Sequence, residues 1–250
     1  LRIHGDGIKI NANSPECLDE PYWLNTTYKQ YDFSKSLTPH NIDKRSVEGY
    51  SYLLNQYSKI EQRDNLIIKN NNAHLRILDL SSYLSNSKFL ILFRSPIPHA
   101  ISLLKLHKRM IKIQTENEFV FRYMDMIGHW EFGKGKKPFI YESTQERQLN
   151  EINDKDVQYW LKQWIFTYKW ILNNVCSKKK SNIKLVCYED LCTDKNYLNS
   201  FYESISVNPD KINFQFTLGR SNTLSKDNLD PENLRQANDI YQMLKKESHK

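Results

Sequence analysis

The chain has 250 residues and a formal net charge of +7, from 36 Lys and Arg against 29 Asp and Glu. Hydrophobic residues make up 39% and aromatic residues 12%, enough for a sizeable core, and this length favours a single domain over residues 1–250. With 7 glycines, collagen-like and Gly/Ser-linker architectures are excluded. No apolar run approaches the roughly 20 residues that cross a bilayer, so the sequence predicts no membrane span.

Short apolar runs alternate with longer amphipathic runs along the chain. In chain order, the pattern predicts a helix over Glu48–Ile60, a strand over Asn65–Lys69, a helix over Ala73–Leu84, a strand over Lys88–Phe93, helices over Ala100–Ile113 and Asp156–Lys178, a strand over Ile183–Cys187, and helices over Asn196–Ser204 and Pro231–Lys246. Continuous apolar strands that alternate with helices indicate an α/β fold with a parallel sheet covered on both faces.

The net charge restricts the class of ligand, and the cysteine pattern restricts the cellular compartment. No helix-turn-helix, zinc-finger or RNA-binding motif accompanies the moderate positive charge, so an anionic small ligand is favoured over nucleic acid. The four cysteines have no CxxC spacing, so we expect reduced thiols, no zinc site and a cytoplasmic location. The chain begins with Leu1 and its first ten residues lack signal-peptide order, so we expect native residues upstream.

Arg94 is the first candidate for ligand binding. It leaves the strand at 88–93 directly before a helix that starts near Ser95, and ligands of an open parallel sheet bind beyond the carboxyl ends of its strands. A permanent cation beside the free backbone N–H groups of a helix N-terminus predicts an anion site. Ser102 lies two helical turns beyond Ser95 and can add a hydroxyl donor. The alternatives are a structural salt bridge for Arg94 and an ordinary surface serine for Ser102.

Four segments, in this order, resemble the sulfotransferase family that uses 3′-phosphoadenylyl sulfate. The signature of that family is an apolar strand, Arg-x-Pro and a helix carrying Ser, and its other motifs are a strand ending in Lys-Asn, a strand ending in Tyr-Glu-Asp-Leu, and a closing helix. The segments are NLIIKNNNAHLRILDL from Asn65, KFLILFRSPIPHAISLL from Lys88, IKLVCYEDLCTD from Ile183 and TLSKDNLDPENLRQANDIYQMLKK from Thr223. The resemblance covers about residues 60–250 and implies a three-layer sandwich of P-loop NTPase type, with the three predicted strands parallel in one sheet.

The resemblance also implies an activity and its cofactor. Arg94 and Ser102 would bind the 3′-phosphate of 3′-phosphoadenylyl sulfate, and the chain would transfer the sulfuryl group to a hydroxyl or amine, with a carbohydrate or related small molecule as the expected acceptor. The product nucleotide is 3′,5′-adenosine bisphosphate. No metal is expected, because Lys and Arg supply the charge neutralisation that Mg²⁺ supplies in a kinase.

Transfer to a hydroxyl needs a base that takes the acceptor proton. One candidate is Glu20, because the Glu-Pro pair at 20–21 resembles a segment that some sulfotransferases place after their first helix. The other candidate is His129, which lies in a basic loop at 128–137. Lys69 is a candidate to face the sulfonate or the substrate. The alternatives are a helix-start carboxylate for Glu20 and a surface lysine for Lys69.

One hallmark of the family does not occur in these 250 residues. Sulfotransferases hold the 5′-phosphosulfate with a Lys/Arg-Ser-Gly-Thr-Thr loop after their first strand. Gly128–Gly135 has the G-x-x-x-x-G-K spacing of a phosphate loop, but Gly135 stands where that loop needs a hydroxyl. We therefore expect a sheet without its usual first strand. Two interpretations stay open: an enzyme with its first strand and loop upstream of Leu1, or a non-catalytic nucleotide-binding or interaction domain.

Overall fold

The computed structural model describes residues 19–27, 31–62, 65–208 and 229–249. These residues form ten α-helices and one parallel sheet of two strands, so the described fold is mixed α/β and mostly helical. The helices are α1 (Glu20–Thr27), α2 (Lys44–Glu61), α3 (Ile77–Tyr83), α4 (Pro96–Glu116), α5 (Glu118–Met126), α6 (Ser143–Asn150), α7 (Val157–Trp170), α8 (Tyr188–Thr193), α9 (Lys195–Ser204) and α10 (Pro231–Ser248), and the strands are β1 (Phe89–Phe93) and β2 (Ile183–Cys187).

The chain divides into two compact units. The first consists of Leu1–Arg76 and Lys105–Lys137, and the second of Ile77–Leu104 and Pro138–Lys250. Both strands belong to the second unit, and α4 contributes residues to each. Within the described ranges, no helix has the length and apolarity needed to cross a membrane.

The sheet of the second unit confirms two of the three predicted strands. β1 and β2 are parallel, with Phe89 opposite Ile183 and Phe93 opposite Cys187. Phe93, Val186 and Cys187 are almost fully buried, as expected for strands that run between helices. The C-terminal helix α10 packs against β2 and against α7.

The long aromatic helix predicted over Asp156–Lys178 forms the core of the second unit. Asp156 caps α7 by accepting a hydrogen bond from the backbone N–H of Gln158 at 2.9 Å. After Trp170 the helix continues as a π-helix over Ile171–Val175 and a 3₁₀ turn over Cys176–Lys178. The helix has an apolar stripe that belongs to the core, because each of its members is at most 7% exposed: Trp160, Trp164, Tyr168 and Ile171.

The predicted strand over Asn65–Lys69 is wrong. Residues 65–70 have no regular secondary structure, and Ile67 is 89% exposed. The run contains only three consecutive apolar residues. A segment this short buries too little surface to offset the entropy of ordering its backbone unless a neighbouring strand pairs with it. Neither β1 nor β2 pairs with it.

One hydrogen bond joins α7 to the sheet: the Tyr168 hydroxyl donates to the Leu92 carbonyl at 3.0 Å. We expect Tyr168→Phe to lower the free energy of unfolding by about 0.5–1.5 kcal/mol, because the buried ring stays and only this bond is lost. Urea unfolding measures the change, with Tyr52→Phe as the control, since Tyr52 is 67% exposed. Equal stability of the two variants would show that this bond does not hold α7 on β1.

Candidate functional site

The carboxyl ends of β1 and β2 lie side by side, because Phe93 pairs with Cys187 in the parallel register. Arg94 follows β1, and Tyr188 begins α8 directly after β2. The guanidinium carbon of Arg94 lies 5.3 Å from the centroid of the Tyr188 ring. Among the described residues, the buried Nε of Arg94 has no hydrogen-bond partner and Arg94 forms no ion pair. No carboxylate of the described residues therefore lies within ion-pair distance of this guanidinium.

The N-terminus of α4 has fewer backbone N–H donors than the sequence predicts. Pro96 and Pro98 have no backbone N–H, so Ile97 is the one residue among the first three of the helix that has an N–H. The attraction for an anion at this point comes mainly from the guanidinium of Arg94. The expectation of several free N–H groups is corrected for this reason.

Glu189 occupies the space between β1, β2 and α10. Its Oε1 accepts the backbone N–H of Ser95 at 2.8 Å, and its Oε2 accepts the hydroxyl of Tyr241 at 3.1 Å. The thiol of Cys187 lies 3.6 Å from the same Oε2. Burial raises the pKa of Cys187 to about 11 and raises the pKa of Tyr241, so both groups stay protonated donors at neutral pH. Near Arg94, Glu189 thus presents a negative charge that an incoming anion must tolerate.

The second carboxylate of this edge, Asp190, anchors the C-terminal helix. Lys245 Nζ lies 2.9 Å from one carboxylate oxygen and His249 Nε2 lies 3.0 Å from the other. Burial opposes ionisation of Asp190, but the hydrogen bonds from Lys245 and His249 hold its pKa below the usual value. Tyr241, Lys245 and His249 follow one another at intervals of four, so one face of α10 contacts both Glu189 and Asp190.

Ser102, the other residue of the predicted anion site, and the nearby His99 differ in exposure. Ser102 is exposed on α4, whereas its neighbours Ala100 and Ile101 are buried. His99, one turn earlier, is neutral at pH 7, because burial and the Arg94 charge lower its pKa to about 4. Ser102 is accessible to a ligand, and His99 adds no charge.

The other candidates belong to the first unit. Glu20 begins α1 and forms an ion pair with Arg76, whose side chain is only 1% exposed. Asn70 Nδ2 donates to Glu20 Oε2 at 2.9 Å and to Asp19 Oδ1 at 2.8 Å. Burial raises the pKa of Asp19. Lys69 is exposed in the irregular segment 65–70, so it does not lie at a strand end as the sequence interpretation expected.

His129 lies in a turn that packs directly on Glu20. Gly128 has a φ of +73°, and a Cβ at this position would lie 2.9 Å from Glu20 Cγ, so the turn requires glycine. His129 Nδ1 lies 3.4 Å from Glu131 Oε2, and Asn71 Nδ2 donates to Glu131 Oε1 at 3.0 Å. The structure therefore brings Glu20 and His129 into one polar cluster.

Sequence reasoning missed most partners of these candidates. Arg76 is 56 residues from Glu20, and nothing in the local pattern connects the two. Glu131 was detectable, because it follows His129 by two residues in a loop. Within the described ranges, no group of three or more His, Cys, Asp or Glu residues is arranged to hold a metal ion.

Glu20→Gln tests whether Glu20 is primarily structural. We expect it to lower the free energy of unfolding by about 3–5 kcal/mol, because it leaves the buried Arg76 guanidinium without its carboxylate partner. Chemical denaturation measures the loss, and adding Arg76→Met to Glu20→Gln should recover part of it. Glu118→Gln breaks an exposed ion pair with Arg122 and should change stability little. A Glu20→Gln variant as stable as the wild type would contradict the structural role.

The lowered pKa of Asp190 predicts a contribution to stability that is lost in acid. Because its folded pKa is lowered from 3.8, its contacts stabilise the fold above that pH and lose this effect as the pH falls through the folded pKa. We expect Asp190→Asn to melt below the wild type at about pH 7, and the gap to narrow toward about pH 3. Thermal unfolding across this range measures it. A constant gap would mean that the charge of Asp190 contributes nothing.

Comparison of this chain with protein-family models, with curated proteins and with solved structures gave no match. The likeness to sulfotransferases therefore depends on the sequence segments alone.

Proposed function

We propose that the chain binds 3′-phosphoadenylyl sulfate at the carboxyl edge of β1 and β2 and transfers its sulfuryl group to a hydroxyl or amine acceptor. The observation that carries the proposal is Arg94, a cation at the end of a parallel strand with no ion-pair partner among the described residues. A guanidinium forms two parallel hydrogen bonds with a phosphate. Stacking on Tyr188 would hold that donor plane in place.

The fold supports this proposal through two strands. The proposed three-layer sandwich would contain β1 and β2, whose parallel pairing agrees with it. Residues 65–70 are irregular, so the first of the four resembling segments does not contain the strand that the likeness implies. The proposed cytoplasmic location is compatible with Cys187 and Cys192, which are thiols rather than half-cystines.

The candidate residues would have separate roles in nucleotide binding and in proton transfer. Arg94 and the exposed Ser102 would bind the 3′-phosphate, and Lys69 would face the sulfonate or the acceptor. Of the two candidate bases, the contacts favour His129. Glu20 already accepts hydrogen bonds from Arg76 and Asn70, which occupy its carboxylate oxygens. A carbohydrate or similar hydroxyl compound remains the expected acceptor.

A non-catalytic domain that binds a nucleotide is the second candidate. Its basis is that the sequence of these 250 residues does not contain the Lys/Arg-Ser-Gly-Thr-Thr motif that holds the 5′-phosphosulfate in sulfotransferases. This alternative predicts binding of 3′,5′-adenosine bisphosphate without sulfuryl transfer. A transfer assay with radiolabelled 3′-phosphoadenylyl sulfate and a panel of sugars, run beside calorimetric titration, distinguishes the two candidates.

Arg94→Lys tests the nucleotide site. We expect it to weaken binding of 3′,5′-adenosine bisphosphate by about 1.5–3 kcal/mol, because an ammonium cannot reproduce a bidentate contact with phosphate. Binding of adenosine 5′-phosphosulfate, which lacks the 3′-phosphate, should change much less. Ser102→Ala should weaken binding of the bisphosphate by about 0.5–1.5 kcal/mol. Isothermal titration calorimetry measures all three changes in affinity.

Arg109→Lys is the matched control, because Arg109 is an exposed residue of the same helix. It should leave both affinities unchanged. Equal losses for the two nucleotides in Arg94→Lys, together with a lower melting temperature without ligand, would assign Arg94 a structural role. If Arg94→Lys leaves both affinities unchanged, Arg94 does not bind the 3′-phosphate.

A further inference from the structure

We propose that His99 is a further binding residue for the 3′-phosphate, to which its Nε2–H donates a hydrogen bond beside Arg94. This role rests on the proposed nucleotide site at the carboxyl edge of β1 and β2, and it does not require that sulfuryl transfer takes place. His99, Arg94 and Ser102 all belong to the second unit.

His99 lies on the side of α4 that carries the predicted phosphate-binding serine. Its backbone N–H donates to the Ser95 carbonyl at 3.1 Å, so helical geometry holds from the first turn. Ser95, His99 and Ser102 follow one another at intervals of four and three residues, which places them on one side of a helix. His99 therefore lies between the start of the helix and Ser102.

A phosphate at the N-terminus of α4 depends on side-chain donors. Pro96 and Pro98 have no backbone N–H, and the N–H of Ser95 donates to Glu189. A phosphate group has three terminal oxygens, each a strong hydrogen-bond acceptor. The guanidinium and the serine hydroxyl of the predicted site supply part of the donors that these oxygens need. The imidazole of His99 is the next donor on the same side of the helix.

The two ring nitrogens of His99 have different surroundings. Nδ1 is buried and has no hydrogen-bond partner among the described residues. The residue keeps part of its surface in solvent, and Nε2 is not enclosed in this way. A proton on Nδ1 would be a buried donor without an acceptor, an arrangement that folded proteins avoid. The neutral ring therefore carries its proton on Nε2, where it can donate to a ligand.

The charges at this edge keep the His99 ring neutral at pH 7. Burial and the charge of Arg94 lower its pKa to about 4. The carboxylate of Glu189 accepts hydrogen bonds from Ser95 and Tyr241 rather than from the imidazole. Protonation would also place an N–H on the buried Nδ1. Donation from Nε2 needs no protonation, so the ring can bind a phosphate without adding a second positive charge beside Arg94.

Two variants of His99 separate the roles of its two ring nitrogens. The side-chain amide of glutamine reaches the position of Nε2, whereas that of asparagine reaches only the position of Nδ1. We expect His99→Asn to weaken binding of 3′,5′-adenosine bisphosphate about tenfold or more, because a hydrogen bond to a charged group is lost. His99→Gln should retain most of the affinity. Calorimetric titration of the full 250-residue chain at pH 7 measures both.

Adenosine 5′-phosphosulfate is the matched control ligand, because it lacks the 3′-phosphate, and both variants should bind it as the wild type does. Wild-type affinity of His99→Asn for the bisphosphate would overturn the proposal, and so would equal losses in His99→Asn and His99→Gln. Equal losses for the two nucleotides, together with a lower melting temperature without ligand, would assign His99 a structural role instead.

Nitrogen NMR of the histidine rings tests the same contact in the wild type, so the test does not depend on whether His99→Asn folds. We expect His99 to be protonated at Nε2 at pH 7, and its Nε2 signal to move when 3′,5′-adenosine bisphosphate or inorganic phosphate is added. A proton on Nδ1, or an Nε2 signal that responds to neither ligand at saturating concentration, would overturn the proposal.

A transfer assay separates this binding role from the proposed function. If the variants and the NMR signals behave as expected but the wild type transfers no sulfuryl group, His99 stands as a phosphate-binding residue and the proposed transfer fails. If the wild type transfers the sulfuryl group and its affinity for the bisphosphate does not depend on His99, the proposed function stands and the role of His99 fails.

Discussion

The parallel pairing of β1 with β2 determines which charged groups meet at the candidate nucleotide site. Because Phe93 lies opposite Cys187, the residues that leave the two strands must be neighbours, and these are Arg94 and the segment that begins with Tyr188. Two five-residue strands alone are marginal in water. Here α10 packs on β2, and Tyr168 of α7 and Tyr241 of α10 contact Phe93. Phe93 and Val186 are buried almost completely. The packing of the helices thus maintains the geometry of the site.

The same edge places opposite charges close together. Arg94 attracts an anion, while the Glu189 carboxylate holds the Ser95 N–H that a helix N-terminus would otherwise offer. Because Tyr241 of α10 also donates to Glu189, the C-terminal helix and the N-terminus of α4 contact one carboxylate. A bound phosphate would have to lie on the Arg94 side and away from Glu189.

Local sequence patterns predicted the two strands with continuous apolar runs, β1 and β2, and helices that bury an apolar face, among them α7 and α10. They failed for Asn65–Lys69, because whether a short apolar run becomes a strand depends on a pairing partner elsewhere in the chain. They also missed α1, α5, α6 and α8, which are at most nine residues long and therefore contain few repeats of a helical pattern. For the site, Arg94 and His129 were predicted from their local context. Arg76 was not, because an ion pair between residues 20 and 76 exists only in the folded chain.

The two candidate bases, Glu20 and His129, differ in burial and in their contacts, which residue type alone does not reveal. Glu20 and His129 belong to one cluster, linked through the consecutive residues Asn70 and Asn71, which donate to Glu20 and to Glu131. Glu20 is nearly enclosed and balances the charge of the buried Arg76 guanidinium. The His129 side chain is 35% exposed and lies 3.4 Å from the Glu131 carboxylate. The carboxylate of Glu20 is therefore committed to a buried ion pair, whereas the imidazole of His129 keeps part of its surface in solvent, although both side chains are bases in chemical terms.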